Sequence, residues 1–242
     1  MNRQLLARGS PPPSRPNSTG TYAHAHLPCT PNPYSRKSAE HLFYGAQALK
    51  ALGTDPAKAV PDLCPAAESA PHIDLHDARF AASLAAVAAC KRAAALYTAA
   101  ESLAHAALAN PTAVADVHAA VATLATLKAA GIKIKTPSLS AVAPLFKALT
   151  HSTGLLRPSK STKLPTFAAT GQAYWTIAHA QTLGSTLATG LEAGVGQALK
   201  AAKPDGGLWT KGDDDALAAT ALTLSGAAAL KASTIAAETV RA

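Results

Sequence analysis

From Ser38 onward apolar residues recur at helical spacing, and Gly, Pro or Asn interrupts them roughly every fifteen to twenty residues. This rhythm predicts helices over about Ser38 to Leu52, Pro56 to Cys64, Asp74 to Cys90, Arg92 to Leu108, Thr112 to Ala130 and Ser138 to His151. Further helices are predicted over Thr166 to Leu183, Ser185 to Lys200 and Asp213 to Leu230, with a final half helix beyond. Gly53, Gly131 and Gly184 stand where left-handed stops are needed. On the first helix Leu42, Phe43, Ala46, Leu49 and Leu52 form the expected apolar face; Phe80, Leu84 and Val87 do so on the third. Alanine fills about a quarter of the positions and aromatics only 5%. Alanine loses no side-chain entropy in a helix, whereas the β-branched and aromatic residues that sheets prefer are scarce. Each small side chain buries little apolar area, so the core must be shared among many stacked helices. The expected fold class is all-α, an α/α helical-hairpin array, toroid-like or curved into a superhelix.

One phrase recurs in weakened form. Leu42-Phe43-Tyr44-Gly45-Ala46-Gln47-Ala48-Leu49-Lys50-Ala51-Leu52-Gly53 is echoed by Ala173-Tyr174-Trp175-Thr176-Ile177-Ala178-His179-Ala180-Gln181-Thr182-Leu183-Gly184. Related stretches end near Cys90, Gly131 and Gly226. A helical hairpin leaves one apolar face uncovered until a neighbour docks, which favours arrays of such units. Residues 36–242 therefore read as a single helical domain. Residues 1–35, rich in Pro and Ser, read as a disordered leader. They lack the apolar centre of a secretory signal, and their Arg and Ser content without acids loosely fits an organelle transit peptide or a displaced start. Residues 152–165, rich in Ser, Lys and Pro, read as an exposed loop.

The net charge of +8 raises nucleic acid as a partner. Its distribution argues against one, because the arginines gather in and beside the leader and the lysines scatter without a basic stripe or interleaved aromatics. No apolar run is long enough for a membrane-spanning helix. Asn17-Ser18-Thr19 fits the acceptor pattern for N-glycosylation, which makes Asn17 a candidate acceptor if the chain enters the secretory pathway. Charged residues make up only 15%, which a coding bias toward alanine explains more readily than a surface partly covered by partners, although both fit.

Few residues suggest chemistry. His72 and His76 are spaced to share a helix face, but a third metal ligand is lacking nearby, and Asp74 and Asp77 fit a helix start. His24, His26 and Cys29 fall in the leader, where ordering a metal site would cost backbone entropy. Asp213-Asp214-Asp215 could hold magnesium or share a proton; its position just after Gly212, where a helix begins, favours a capping role. Tyr44, Tyr174 and Trp175 read as packing residues of the repeats. Cys64 and Cys90 could bridge neighbouring repeats or stay as two buried thiols. Neither a nucleotide-binding glycine loop nor a Ser-hydrolase or zinc-protease motif is present. No catalytic residue, cofactor site or metal site is expected.

The stretch Ser38-Ala39-Glu40-His41-Leu42-Phe43-Tyr44 through Leu52-Gly53, then Pro56-Ala57-Lys58-Ala59 and Cys64, resembles the opening of the lumenal helical domain of the ribophorin II family. That family supplies a subunit of the oligosaccharyltransferase complex of the endoplasmic reticulum. Cys90 falls where a second cysteine of the domain is expected, and Gly206-Gly207 with Ala216-Leu217-Ala218-Ala219-Thr220-Ala221-Leu222 is similar to its later helix pair. The resemblance covers about Arg36 to Ala242. It implies a non-catalytic structural subunit, or the N-terminal domain of one, supporting N-linked glycosylation beside other oligosaccharyltransferase subunits on the lumenal side.

A more distant likeness is to the α/α toroids of terpenoid cyclases and protein prenyltransferases, whose Asp-Gly-Gly-aromatic turns precede Thr-Ala-Leu helices. Pro204 to Trp209 imitates that turn once. This likeness implies the alternative, an enzyme acting on isoprenoid diphosphates. However, Gly212 stands where the aspartate motif of a cyclase would begin relative to Asp214 and Asp215.

Overall fold

A computed structural model of the protein describes residues 36–70, 74–187, 191 and 207–241, with the side chains of 39–230 among them. Among these residues the chain is all-α and has no strand. Its helices are α1 (Arg36–Ala51), α2 (Pro56–Ala59), α3 (Leu63–Ser69), α4 (Leu75–Val87), α5 (Ala94–Ala109), α6 (Val114–Ala129), α7 (Val142–Leu149), α8 (Phe167–Thr182) and α9 (Ala216–Arg241). The leader with Asn17, His24, His26 and Cys29 lies outside the described residues, as do His72, most of the helix expected over Ser185 to Lys200, and the Pro204-Asp205-Gly206 turn.

Local chemistry sets the ends of these elements. Asp55 accepts from the Ala57 N–H at 3.1 Å and Pro56 opens α2, where a missing N–H costs nothing. Asp74 accepts from the Asp77 N–H at 2.9 Å and starts α4. Gly53, Gly131 and Gly184 sit at φ 76, 79 and 80°, the left-handed stops expected of them. Ala89 reaches φ 53° after α4 without a glycine, and the Cys90 N–H donates back to the Ala85 carbonyl at 2.9 Å.

The helix expected from Pro56 to Cys64 is two helices, since Val60 is extended between α2 and α3. The half helix expected after Leu230 is instead a continuation of α9 to Arg241. The stretch 152–165 is no freely exposed loop: Leu156 is fully buried and pairs in isolated antiparallel bridges with Thr150 and Thr166. Its N–H donates to the Thr170 hydroxyl of α8 at 2.9 Å, so α8 anchors it.

Packing proceeds from α1 to α4, α4 to α6, α6 to α8 and α8 to α9, with α3 against α4 and α5 against both α4 and α6. One core cluster gathers Phe43, Leu63, Phe80, Leu84 and many alanines of α1, α3 and α4. The larger one joins Leu108, Leu124, Phe146, Leu149, Tyr174 and Leu183 of α5 to α8 and the loop after it, and reaches α9 at Leu230. The first-helix face is narrower than expected: Phe43 and Ala46 are buried, but Leu52 is 80% exposed past the end of α1. No helix among the described residues is long and apolar enough to cross a membrane.

The α8–α9 contact is made by main chain. A Cβ placed on Gly171 would lie 2.5 Å from the backbone of Leu222 and Thr223, and one on Gly226 would overlap the Gly171 carbonyl. Only glycine permits that approach. The buried Thr223 hydroxyl donates across the contact to the Phe167 carbonyl at 2.8 Å.

Candidate functional site

The two cysteines meet. Cys64 of α3 and Cys90, just beyond α4, form a disulfide with Cα atoms 5.5 Å apart. The bond ties α3 to the end of the helix it packs on, in the core cluster that holds Phe43 and Phe80. Cys90 is buried and Cys64 half-buried.

The three aspartates part company. Asp213 turns toward α8 and accepts from the Phe167 N–H at 3.1 Å and the Ala168 N–H at 2.9 Å. The same carboxylate accepts from the Thr210 N–H at 2.8 Å and lies 3.1 Å from the Thr210 hydroxyl. Thr166 accepts from the Ala169 N–H at 3.1 Å, so the first three amides of α8 are capped by its own N-cap residue and by one side chain from a distant part of the chain. Asp215 caps its own helix, accepting from Leu217 and Ala218 N–H at 2.8 and 3.0 Å. Asp214 is exposed. An open cleft of about 260 Å³ lies over this corner, bounded by Thr166, Gln172, Gly212 and the three aspartates. Both oxygens of Asp213 are engaged with N–H donors, which suits a structural anchor better than a metal ligand. Among the described residues no three His, Cys, Asp or Glu side chains are grouped to hold a metal ion. His76 sets its ring edge-on to Phe80 at 5.3 Å.

The aromatic residues of the repeated phrase have different environments. Tyr174 is fully buried, and its hydroxyl has no hydrogen-bond partner; burial pushes its pKa up to about 12. Tyr44 is half exposed, tilted against Phe43 at 5.3 Å and edge-on to Phe80 of α4 at 5.9 Å, so it packs between helices at the rim of the core. Trp175 stacks on His179 at 3.6 Å, and His118 of α6 meets its ring edge-on at 5.0 Å. His179 Nδ1 lies 2.9 Å from the Trp175 carbonyl and donates to it, which leaves Nε2 as the acceptor.

Beside this group Arg79 projects from α4, with its guanidinium 5.1 Å over Phe80. Desolvation lowers its pKa, against the opposing influence of Tyr44 and Glu40 from α1. Burial, reinforced by Arg79 and His179, drives His118 down to about 3, and burial lowers His179 too. Arg79, His118, Trp175 and His179 thus form a polar seam across α4, α6 and α8. Sequence reasoning missed it, because its members come singly from three helices and share no local spacing. Trp175 alone stood out, and as a packing residue.

Compared with protein-family models, with curated proteins and with solved structures, the chain matches none.

Proposed function

We propose that this chain is a non-catalytic helical domain of an oligosaccharyltransferase subunit of the ribophorin II type, working on the lumenal side of the endoplasmic reticulum membrane. The observation that carries this reading is the Cys64–Cys90 bond, because structural disulfides persist in oxidising compartments and are rare in the cytosol. It joins the two cysteines that the resemblance singles out, one at the end of the first matched stretch and one beyond α4. The engagement of Asp213 and Asp215 as helix caps supports it further. It occupies two of the three clustered carboxylates from which the isoprenoid-enzyme alternative could draw ligands for a diphosphate-bound metal.

A scaffold role requires a contact surface, and α9 offers one. Leu217, Ala221, Leu224 and Ala228 recur at spacings of four, three and four residues, and all are exposed. Uncharged apolar stripes of this kind mark association surfaces.

The test is co-purification. The tagged chain, expressed in its native source and extracted in mild detergent, is expected to bring down the membrane glycosylation complex with its catalytic subunit. Recovery solely as a soluble monomer that consumes a polyprenyl diphosphate would reverse the reading.

A further inference from the structure

Four helices stop in the same way. At the ends of α1, α6 and α8 a left-handed glycine donates to the carbonyl three residues back, and the next residue donates to the carbonyl five back. The pairs are Gly53 to Lys50 with Thr54 to Leu49, Gly131 to Lys128 with Ile132 to Leu127, and Gly184 to Gln181 with Ser185 to Ala180. The end of α4 repeats both bonds, Ala89 to Ala86 at 3.3 Å and Cys90 to Ala85 at 2.9 Å, but its left-handed residue is an alanine. Ala89 is the one non-glycine residue at positive φ among those described. Its Cβ crowds the following carbonyl there, so the backbone alone would not choose this stop. Nor would the surrounding sequence, because neither Gly nor Pro occurs from Leu75 to Asn110 and alanine recurs throughout. Such a stretch favours one unbroken helix. What sets this stop apart is Cys90, tied to Cys64 of α3 with Cα atoms 5.5 Å apart. Leu63, Ala66 and Ala67 seat α3 in the core it shares with α4. The tether therefore keeps Cys90 folded back beside the last turn of α4, where a straight helix would carry it onward.

Straightening the corner within one chain would part α4 from α5 and from α6, which packs on both, and would uncover Ala78, Ala82, Ala86 and Ala100. Two chains avoid that loss. The α1 to α4 segment of one copy can pack on α5 and α6 of the other through the same contacts, with a helix of about 50 Å running from Leu75 to Ala109 between the two halves. We infer that the Cys64–Cys90 bond is a redox lock against domain exchange: once it is reduced, α4 and α5 join into one helix and the chain pairs with a second copy of itself by swapping its α1 to α4 segment. The reductant is a dithiol. One of its thiolates attacks the sulfur of Cys64, the half-buried member of the pair, and expels the Cys90 thiolate, which takes up a proton. Its second thiol then breaks the mixed disulfide, releases Cys64 as a thiol and closes the dithiol's own disulfide, which completes a two-electron, two-proton exchange.

The test is refolding of the full chain in a Cys29→Ser background, which leaves Cys64 and Cys90 as its only cysteines. The protein is unfolded in urea, refolded at high concentration with the bond intact or with dithiothreitol present, and sized by light scattering. Monomer alone is expected with the bond intact, and a dimer fraction that grows with chain concentration when it is reduced. In the bent corner the Lys91, Arg92 and Ala93 amides have no main-chain acceptor among the described residues. In a straight helix each finds one four residues back, so their hydrogen exchange should slow at least tenfold in the dimer. Ala89→Gly favours the left-handed stop and weakens a helix through it. It should lower the association constant of the reduced chain at least tenfold, since both copies carry the change. Four outcomes would overturn the inference. They are a reduced chain that stays monomeric, a dimer that forms equally with the bond intact, a dimer whose 91–93 amides still exchange freely, as pairing through α9 would give, and a reduced chain that recovers no protected amides in α4 to α6.

Discussion

His118 gives the fold a pH dependence of predictable sign. Its pKa is about 3 when folded, against 6.5 in a free chain. Between those values the unfolded chain binds a proton that the folded chain refuses, so stability is fully present above pH 6.5 and declines as pH drops toward 3. At pH 5 the loss from this residue is about 2 kcal/mol. The lowered pKa of His179 acts in the same direction. Urea unfolding at pH 7.5 and 5 is expected to show this difference, and His118→Gln to remove most of it. Asp213 makes a separate prediction. Replacing it with Ala leaves the Phe167, Ala168 and Thr210 amides without their acceptor and should cost about 2 kcal/mol. Asp214→Asn, at an exposed carboxylate, should change the urea midpoint by less than the equivalent of about 0.5 kcal/mol. Three neighbours in sequence therefore differ in consequence because only one of them turns toward α8.

Individual elements were legible where the signal is local. Gly53, Gly131 and Gly184 end their helices because a left-handed residue there would strain any side chain, and that requirement is visible in one letter. Ala89 adopts the same region without the letter, so the end of α4 came three residues before the expected Cys90. The division of α2 from α3 and the unbroken run of α9 were likewise invisible, since tertiary packing and not propensity decides them. Least legible was the α8–α9 crossing: Gly171 and Gly226 are remote in sequence, and nothing near either marks it as a contact point. Gly171→Ala is expected to cost about 3 kcal/mol by overpacking, measured by thermal unfolding. Gly45 makes the opposite case, with open space around it on α1, and Gly45→Ala should stabilise by about 0.5 to 1 kcal/mol. The disulfide spans a sequence separation of 26, and its removal in a Cys64→Ala, Cys90→Ala protein should cost about 3 to 4 kcal/mol. Unfolding midpoints with and without reductant check this, and the double variant should be insensitive to reductant.

For the whole molecule, the all-α class followed from composition and periodicity, because alanine-rich stretches have few alternatives to helix. The candidate site did not follow. Arg79, His118 and His179 become neighbours only after α4, α6 and α8 have packed, and each alone looks like a solvated residue on a helix. The outward stripe of α9 could have been read from its spacing, but whether it faces a core or solvent depends on which neighbours are present. Leu217→Glu with Leu224→Glu should leave the thermal midpoint within the equivalent of about 0.5 kcal/mol, since both side chains are 51% exposed or more. If the proposed assembly uses this stripe, the same variant should lower recovery with the glycosylation complex by at least fivefold. Where α8 meets α9, backbone touches backbone, and no rotamer can absorb a small displacement. The last helix is therefore held in a single register, since sliding it along α8 would drive main chain into main chain at Gly171 and Gly226 and break the Thr223–Phe167 hydrogen bond in the same movement.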